Sequence, residues 1–299
     1  MIPLGPSLLV EGPDVVAIGG GHGLSASLSA VRHYAGSVTA VVSVADDGGS
    51  TGRLREAVDR AAPGDLRKCL AALAGYDSLL LAAMEHRFDA GELEGHAFGN
   101  LLIAALEEAG GDLVKALDEV GRLLGAVGRT LPCTVQPVQL HADVEGGSVV
   151  AGQAKVAVTP NVHTVRLVPA DAPACPEAVE AIRTAEQVVL GPGSLFTSVL
   201  AATAVVGISQ ALEQTSAQLV YVCNLRPQAG ETSGFGVGDH VEALNRHGIR
   251  PNVVLYDPAT MAGAESVPGA IAATLSVDGA ATHDPELLGD ALEAVFVSA

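Results

Sequence analysis

Residues 14–24 read Asp-Val-Val-Ala-Ile-Gly-Gly-Gly-His-Gly-Leu, and this stretch decides the fold. The run from Val15 to Ile18 is β-branched and apolar, which predicts a buried strand. It breaks into Gly19, Gly20, Gly21, His22 and Gly23, and a helix-like segment runs from Leu24 to His33. Glycines at a strand-to-helix turn let a ligand approach the backbone closely. The helix start then offers free N–H groups and a positive dipole end to an anion. The natural guest is a phosphate or diphosphate.

Neither familiar phosphate loop fits. A P-loop needs a lysine after its last glycine, and none occurs between Met1 and Arg53. The dinucleotide pattern Gly-x-Gly-x-x-Gly matches Gly19 and Gly21, but Leu24 holds its last position. The next strand, Val38–Val44, leads to Asp46, 23 residues after Gly23. In a dinucleotide-binding protein an acid there would hold a ribose hydroxyl, so an NAD(P)-binding protein stays open as a reading.

Outward from this unit, strand-like and helix-like runs alternate, which predicts an α/β fold with a mostly parallel sheet covered on both faces. Helices are expected at 65–74, 78–87, 99–109 and 112–124, and the segment Ser78–Arg87, apolar on most faces, is expected to be buried. Residues 131–170 change character: Thr134–His141, Ser148–Ala151 and His163–Val168 read as a small antiparallel meander inserted in the α/β layer. The pattern then resumes with helix Ala178–Ala185, strand Gln187–Leu190, a helix near Thr197, strand Gln218–Val222, helix Val241–His247 and strand Asn252–Tyr256. The tail 258–299 has weak periodicity, with a helix at Pro285–Phe296. Residues 1–299 read as one α/β ligand-binding domain carrying the 131–170 insertion.

Several loops follow a strand or open a helix, and such loops gather at the carboxyl ends of the strands. The densest is Asp46-Asp47-Gly48-Gly49-Ser50-Thr51-Gly52-Arg53-Leu54-Arg55. Asp46 and Asp47 could hold Mg²⁺, bind sugar or ribose hydroxyls, or cap a turn. Arg53 and Arg55 are phosphate partners or surface ion pairs, and Ser50 lies between the two groups. Asp65 is a helix N-cap or a ligand contact, with Arg67 beside it. Asn100 opens another helix. Gly191-Pro192-Gly193-Ser194-Leu195-Phe196-Thr197-Ser198 repeats the design of the first loop and reads as a second phosphate- or base-binding loop, against a structural turn. Asn224 ends a strand at the same edge. His22 could donate to phosphate when protonated or only fill space. No Gly-x-Ser-x-Gly elbow surrounds Ser194 and no histidine pair has metal spacing, so no catalytic residue is assigned.

Composition narrows the partners. With 34 acidic against 16 basic residues the net charge is −18, which repels nucleic acid and anionic membranes over most of the surface. Tryptophan is absent and aromatics are 3%, which leaves no base-stacking platform. The four cysteines lie 42 to 64 residues apart, as suits reduced, buried thiols. No apolar run reaches membrane-spanning length and the first residues lack a signal-peptide pattern, so a cytoplasmic protein without membrane insertion is expected.

Taken together, the ordered blocks at 19–24, 44–55, 63–67, 95–96, 99–101, 191–198, 223–225 and 230–232 resemble the gluconeogenesis factor (YvcK-like) family, which is related to 2-phospho-L-lactate transferase (CofD). The resemblance runs from about Val15 to Asp257. It implies a Rossmann-like three-layer fold and a homodimer. It also implies a UDP-sugar ligand such as UDP-N-acetylglucosamine, and a regulatory role in cell shape, cell-wall precursor and central carbon metabolism. The alternative is a CofD-like, Mg²⁺-dependent transferase of a phospho-group from a nucleotide diphosphate conjugate. Most of the family has threonine where this chain has His22, while the actinobacterial branch is similar to what is seen here.

Overall fold

In the computed structural model the described residues are 11–48, 61–277 and 280–298. Their centre is strand β1 (Asp14–Gly19), in which Val15 to Ile18 are all buried. A strand buried on both faces reads as a continuous apolar run, and parallel sheets are built of such strands. β1 is flanked in parallel by β2 (Ser37–Val42) on one side and β7 (Gln187–Leu190) on the other. Beyond β2 lies β3 (Arg129–Pro132). Beyond β7 lie β8 (Gln218–Val222), β9 (Val253–Tyr256) and β10 (Ala270–Ala272). All six pairings in this seven-stranded sheet are parallel.

The strand order 10-9-8-7-1-2-3 means that the chain winds outward from β1 in one direction, returns, and winds outward in the other. The reversal between β1 and β7 leaves a crevice at their carboxyl ends, where open α/β sheets bind ligands. The first and second glycine loops both emerge there.

The described helices are α1 (Gly21–Val31), α2 (Pro63–Ala72), α3 (Leu79–Glu85), α4 (Phe98–Gly110), α5 (Leu113–Leu123), α6 (Gln153–Ala157), α7 (Pro176–Thr184), α8 (Leu195–Thr203, opening with a π turn), α9 (Val206–Gln214), α10 (Val237–Arg246) and α11 (Pro285–Val297). No single one among the described residues is long and apolar enough to cross a membrane. Their starts carry the expected chemistry: Asp112 caps α5 through the Lys115 amide, and Asp284 caps α11 with Pro285 at its first position.

The insertion is a three-stranded antiparallel sheet of order β5-β4-β6, with β4 at Gln139–Val144, β5 at Val149–Ala151 and β6 at Val162–Val168. The structure corrects the sequence reading here. Its first strand starts at Gln139, not Thr134, because Thr134 forms a turn with the Gln136 amide and Pro137 cannot donate to a ladder. Residues 129–132 belong to the main sheet as β3. Helix α3 is also corrected: only Met84 is fully buried, and Leu79 is 88% exposed. A seven-residue helix lying on the surface covers one face only. Helices α6 and α9 and strand β10 were not legible; β10 is three residues long and largely exposed.

The opposite edge of the sheet is closed by the tail. Gln187, the buried first residue of β7, accepts from the Tyr34 hydroxyl at 2.5 Å. It donates to Gln218 at 2.9 Å and to the Leu292 carbonyl of α11 at 3.2 Å. Gln218 donates to the Val295 carbonyl at 2.8 Å. All four cysteines are buried and unbridged.

This network generates a stability prediction. Gln187→Leu keeps the volume but strands the Tyr34 hydroxyl and Gln218 Oε1, so urea denaturation should show a loss of about 2–4 kcal/mol. A loss under about 0.5 kcal/mol would show that α11 is held by apolar packing alone.

Candidate functional site

Chain direction puts Gly20 at the start of α1 in extended backbone, with no side chain capping the helix. Gly21 follows at φ +61°, a left-handed conformation that glycine adopts without strain. The loop therefore turns sharply off β1 and aims the first amides of α1 along the carboxyl edge. A side chain at Gly23 would meet the Pro192 carbonyl oxygen at 2.3 Å and the Gly193 Cα at 2.5 Å. The two glycine loops thus touch, backbone on backbone. The Gly191 amide donates to the Ile18 carbonyl at 3.1 Å, and the Ser27 hydroxyl of α1 donates to the Gly191 carbonyl, which fixes the contact.

Helix α2 brings charge to the first loop. A methyl group at Gly20 would stand 2.7 Å from Asp65 Oδ2 and 3.3 Å from Ser198 Oγ. Asp65 pairs with Lys68 Nζ at 3.1 Å, and that ammonium lies 4.0 Å from where a Cβ on Gly21 would be. Asp65 sits in the first turn of α2 but its side chain does not cap that helix. Arg67, also on α2, is buried and turned the other way. It donates to Asn100 Oδ1 at 3.2 Å and to the Met84 carbonyl at 3.2 Å, and it pairs with Glu85. Arg67 and Asn100 therefore bind each other and tie α2, α3 and α4 together.

The carboxylates after β2 diverge. Asp46 Oδ1 accepts from the Gly48 amide at 3.0 Å. Asp47 reaches across the chain, its two oxygens accepting from the Gln153 and Ala154 amides at 3.0 and 2.9 Å. It caps α6 and so pins the insertion to the edge of the main sheet. The two carboxylates thus hold different backbone amides, and among the described residues no three His, Cys, Asp or Glu side chains are grouped to hold a metal. Ser50, Arg53 and Arg55 lie outside the described residues.

In the second loop, Asn224 clamps Gly193 from both sides, accepting from its amide at 2.9 Å and donating to its carbonyl at 2.8 Å. Ser194 is hydrogen-bonded to the Thr197 hydroxyl and to Glu231, whose other oxygen accepts from the Thr197 amide at 3.2 Å. Glu231 is 2% exposed, and burial raises its carboxyl to about 6 against the pull of the Ser194 and Thr197 hydrogen bonds. Behind Asn224, His283 is buried with Nε2 on the Cys223 carbonyl at 3.1 Å, and burial lowers its pKa to about 4.

The structure thus gathers Gly19, Gly20, Gly21, Gly23, Asp65, Gly191, Gly193, Ser194, Thr197 and Asn224 at the carboxyl ends of β1 and β7. Exposed His22 lies in the first turn of α1. Leu24 lies in the core, with its amide on the Gly20 carbonyl. Sequence reading missed Lys68 and Glu231. Lys68 follows Arg67 directly, and only the turn of α2 shows which of the two faces the loop. Glu231 stands in the conspicuous Gly230-Glu231-Thr232 block, but its partner is 37 residues away.

Comparison with known proteins agrees with this fold. The family model described as 2-phospho-L-lactate transferase CofD matches residues 15–282, past the point where the sequence resemblance stops. The chain is similar to a gluconeogenesis factor relative from Mycobacterium tuberculosis (48% identical over 266 residues, 85% of this chain and 77% of that protein). It is also similar to the gluconeogenesis factor of Bacillus subtilis (40% over 237 residues, 79% of this chain and 75% of that one). A crystal structure of a UPF0052 family member from Bacillus halodurans superposes with a TM-score of 0.89 at 34% identity, covering 95% of this chain and 99% of that one.

Two predictions follow from the geometry. Gly23→Ala should cost about 1–3 kcal/mol in urea denaturation, because a methyl group overpacks the backbone of the second loop. Gly110→Ala, where nothing lies within 4 Å, is the control and should be neutral or mildly stabilising. Equal effects would mean that the loops do not touch. The second concerns pH. His283, about 4 folded against 6.5 unfolded, contributes stability that is complete above pH 6.5 and fades as pH falls towards 4. The full effect is about 3 kcal/mol. Glu231, about 6 against 4.5, slopes the other way, contributing most below pH 4.5 and losing it as pH rises through 6. Urea midpoints between pH 4 and 7 should show His283→Gln flattening the acid-side loss and Glu231→Gln steepening it; unchanged slopes would contradict both assignments.

Proposed function

Because this chain belongs to the CofD family, in its gluconeogenesis factor group, we propose that it binds a nucleotide diphosphate sugar in the crevice between the two glycine loops. The leading class is a UDP-sugar such as UDP-N-acetylglucosamine, and the role is that of a cytoplasmic, homodimeric regulator of cell shape, cell-wall precursor and central carbon metabolism. The observation that carries the binding reading is the start of α1: an N-terminus with no side-chain cap, opened by a glycine at φ +61°, at the reversal point of a parallel sheet. A diphosphate there accepts from main-chain amides and gains from the helix dipole. Lys68 stands close enough to add a point charge, which matters in a chain of net charge −18.

The regulatory reading follows the gluconeogenesis factor relatives; Ser194 is held by a buried carboxylate with no histidine among its hydrogen-bond partners. The second reading, transfer of a phospho-group from a nucleotide diphosphate conjugate, is favoured by the transferase description of the matching family model. In the structure each oxygen of Asp47 accepts one amide of α6.

Calorimetry and a thermal melt with UDP-N-acetylglucosamine test the proposal. At about 100 times the dissociation constant the protein should gain about 2.7 kcal/mol, a rise of several degrees. The ligand should remain intact after hours with Mg²⁺. No heat and no shift at millimolar ligand would overturn the binding reading, and Mg²⁺-dependent nucleotide release would favour the transferase.

A further inference from the structure

The two glycine loops resemble each other in sequence but differ in what their amides do. At α1 no side chain caps the helix and no acid lies in its first turn; the nearest carboxylate, Asp65 of α2, is paired with Lys68 at 3.1 Å, whereas Glu231 has no cationic partner among its hydrogen bonds. In the second loop five amides already have acceptors. Gly191 donates to Ile18, Gly193 donates to Asn224, Thr197 donates to Glu231, and Ser198 donates to the Ser194 carbonyl; Pro192 has no N–H. The Leu195 backbone also bonds to the Glu231 carboxylate. That carboxylate is buried, with its oxygens on the first turn of α8 and on the Ser194 hydroxyl. It stands where a phosphate would stand if this loop bound one.

We propose that Glu231 is a specificity residue: its carboxylate fills the anion position at the start of α8. Of the two glycine loops only the first then accepts a phosphate, and the ligand group that reaches Ser194 is uncharged and hydroxyl-bearing. The second half rests on the nucleotide-sugar reading; the filled anion position does not. Glu231 is held for this task from two sides. The next residue, Thr232, accepts the Gln228 amide at 2.9 Å, and the preceding Gly230 (φ +96°) lies so close to α6 that a side chain there would meet the Ala157 carbonyl at 2.4 Å. A buried carboxylate repels a second anion at short range, while Ser194, half-exposed at the crevice, keeps an oxygen that can bond a sugar or ribose hydroxyl.

The test removes the carboxylate and supplies another. Glu231→Ala should gain a formate or inorganic sulfate site that the wild type lacks. Its melting temperature should rise about 3 °C more than that of the wild type in millimolar formate, relative to the same ionic strength of chloride. Calorimetric titration with inorganic pyrophosphate should count one more site in Glu231→Ala than in the wild type. A difference of zero overturns the filled anion position, whatever the wild-type count. A wild-type count of zero overturns the nucleotide reading alone. Should Glu231→Ala fail to fold even with formate, Glu231→Gln carries the test. It keeps the shape, removes the charge, and should bind pyrophosphate severalfold more tightly than wild type; unchanged affinity overturns the proposal.

Discussion

A Cβ on residue 23 would stand 2.3 Å from the Pro192 carbonyl oxygen, and the rest of the site depends on that clearance. Two loops that leave neighbouring strands here meet backbone to backbone, at Gly23 and Pro192–Gly193. Any side chain at position 23 would wedge them apart. The reversal of strand order between β1 and β7 brings the loops to the same place, but topology alone does not bring them within reach of one small molecule. Glycine at 23, the Gly191 amide on Ile18 and the Ser27 hydroxyl on the Gly191 carbonyl do so together.

Around this contact the polar groups divide the work between holding the scaffold and meeting a ligand. Arg67 and Asn100 join three helices. Asp47 and His247 hold the insertion. Asp47 caps α6, and His247 accepts from the Val165 amide of β6 at 2.9 Å while its other nitrogen donates to the Ala243 carbonyl at 2.7 Å. Asn224 and Glu231 hold the second loop. These groups are buried or reach over long sequence distances, and Asp47, His247, Asn224 and Glu231 satisfy amides that would otherwise be stranded. What faces the crevice is a smaller set: the start of α1, Asp65 with Lys68, and the Ser194 hydroxyl.

The contrast explains what could be read in the sequence. The apolar run 15–18, the glycines after it and the strands 187–190 and 218–222 are local signals, because burial and turn geometry act on neighbouring residues. The fold and the loops of the site were therefore legible. The roles within the loops were not. Asp47 and Gln153 are 106 residues apart, and Ser194 and Glu231 are 37 apart. Nothing in the composition of either loop shows that one helix start lacks a cap while the other holds a carboxylate. An exposed short element such as β10 fails for a related reason: with little to bury, it leaves no periodic pattern.

The central claim is that main-chain amides of the first loop, and not those of the second, grip a diphosphate. Backbone amide chemical shifts of isotopically labelled protein, followed as UDP or inorganic pyrophosphate is added, address it directly. The account predicts large downfield shifts at Gly21, His22 and Gly23, with Leu195 and Thr197 little changed because Glu231 already holds them. Shifts concentrated at Leu195 and Thr197, or at residues away from both loops, would contradict it.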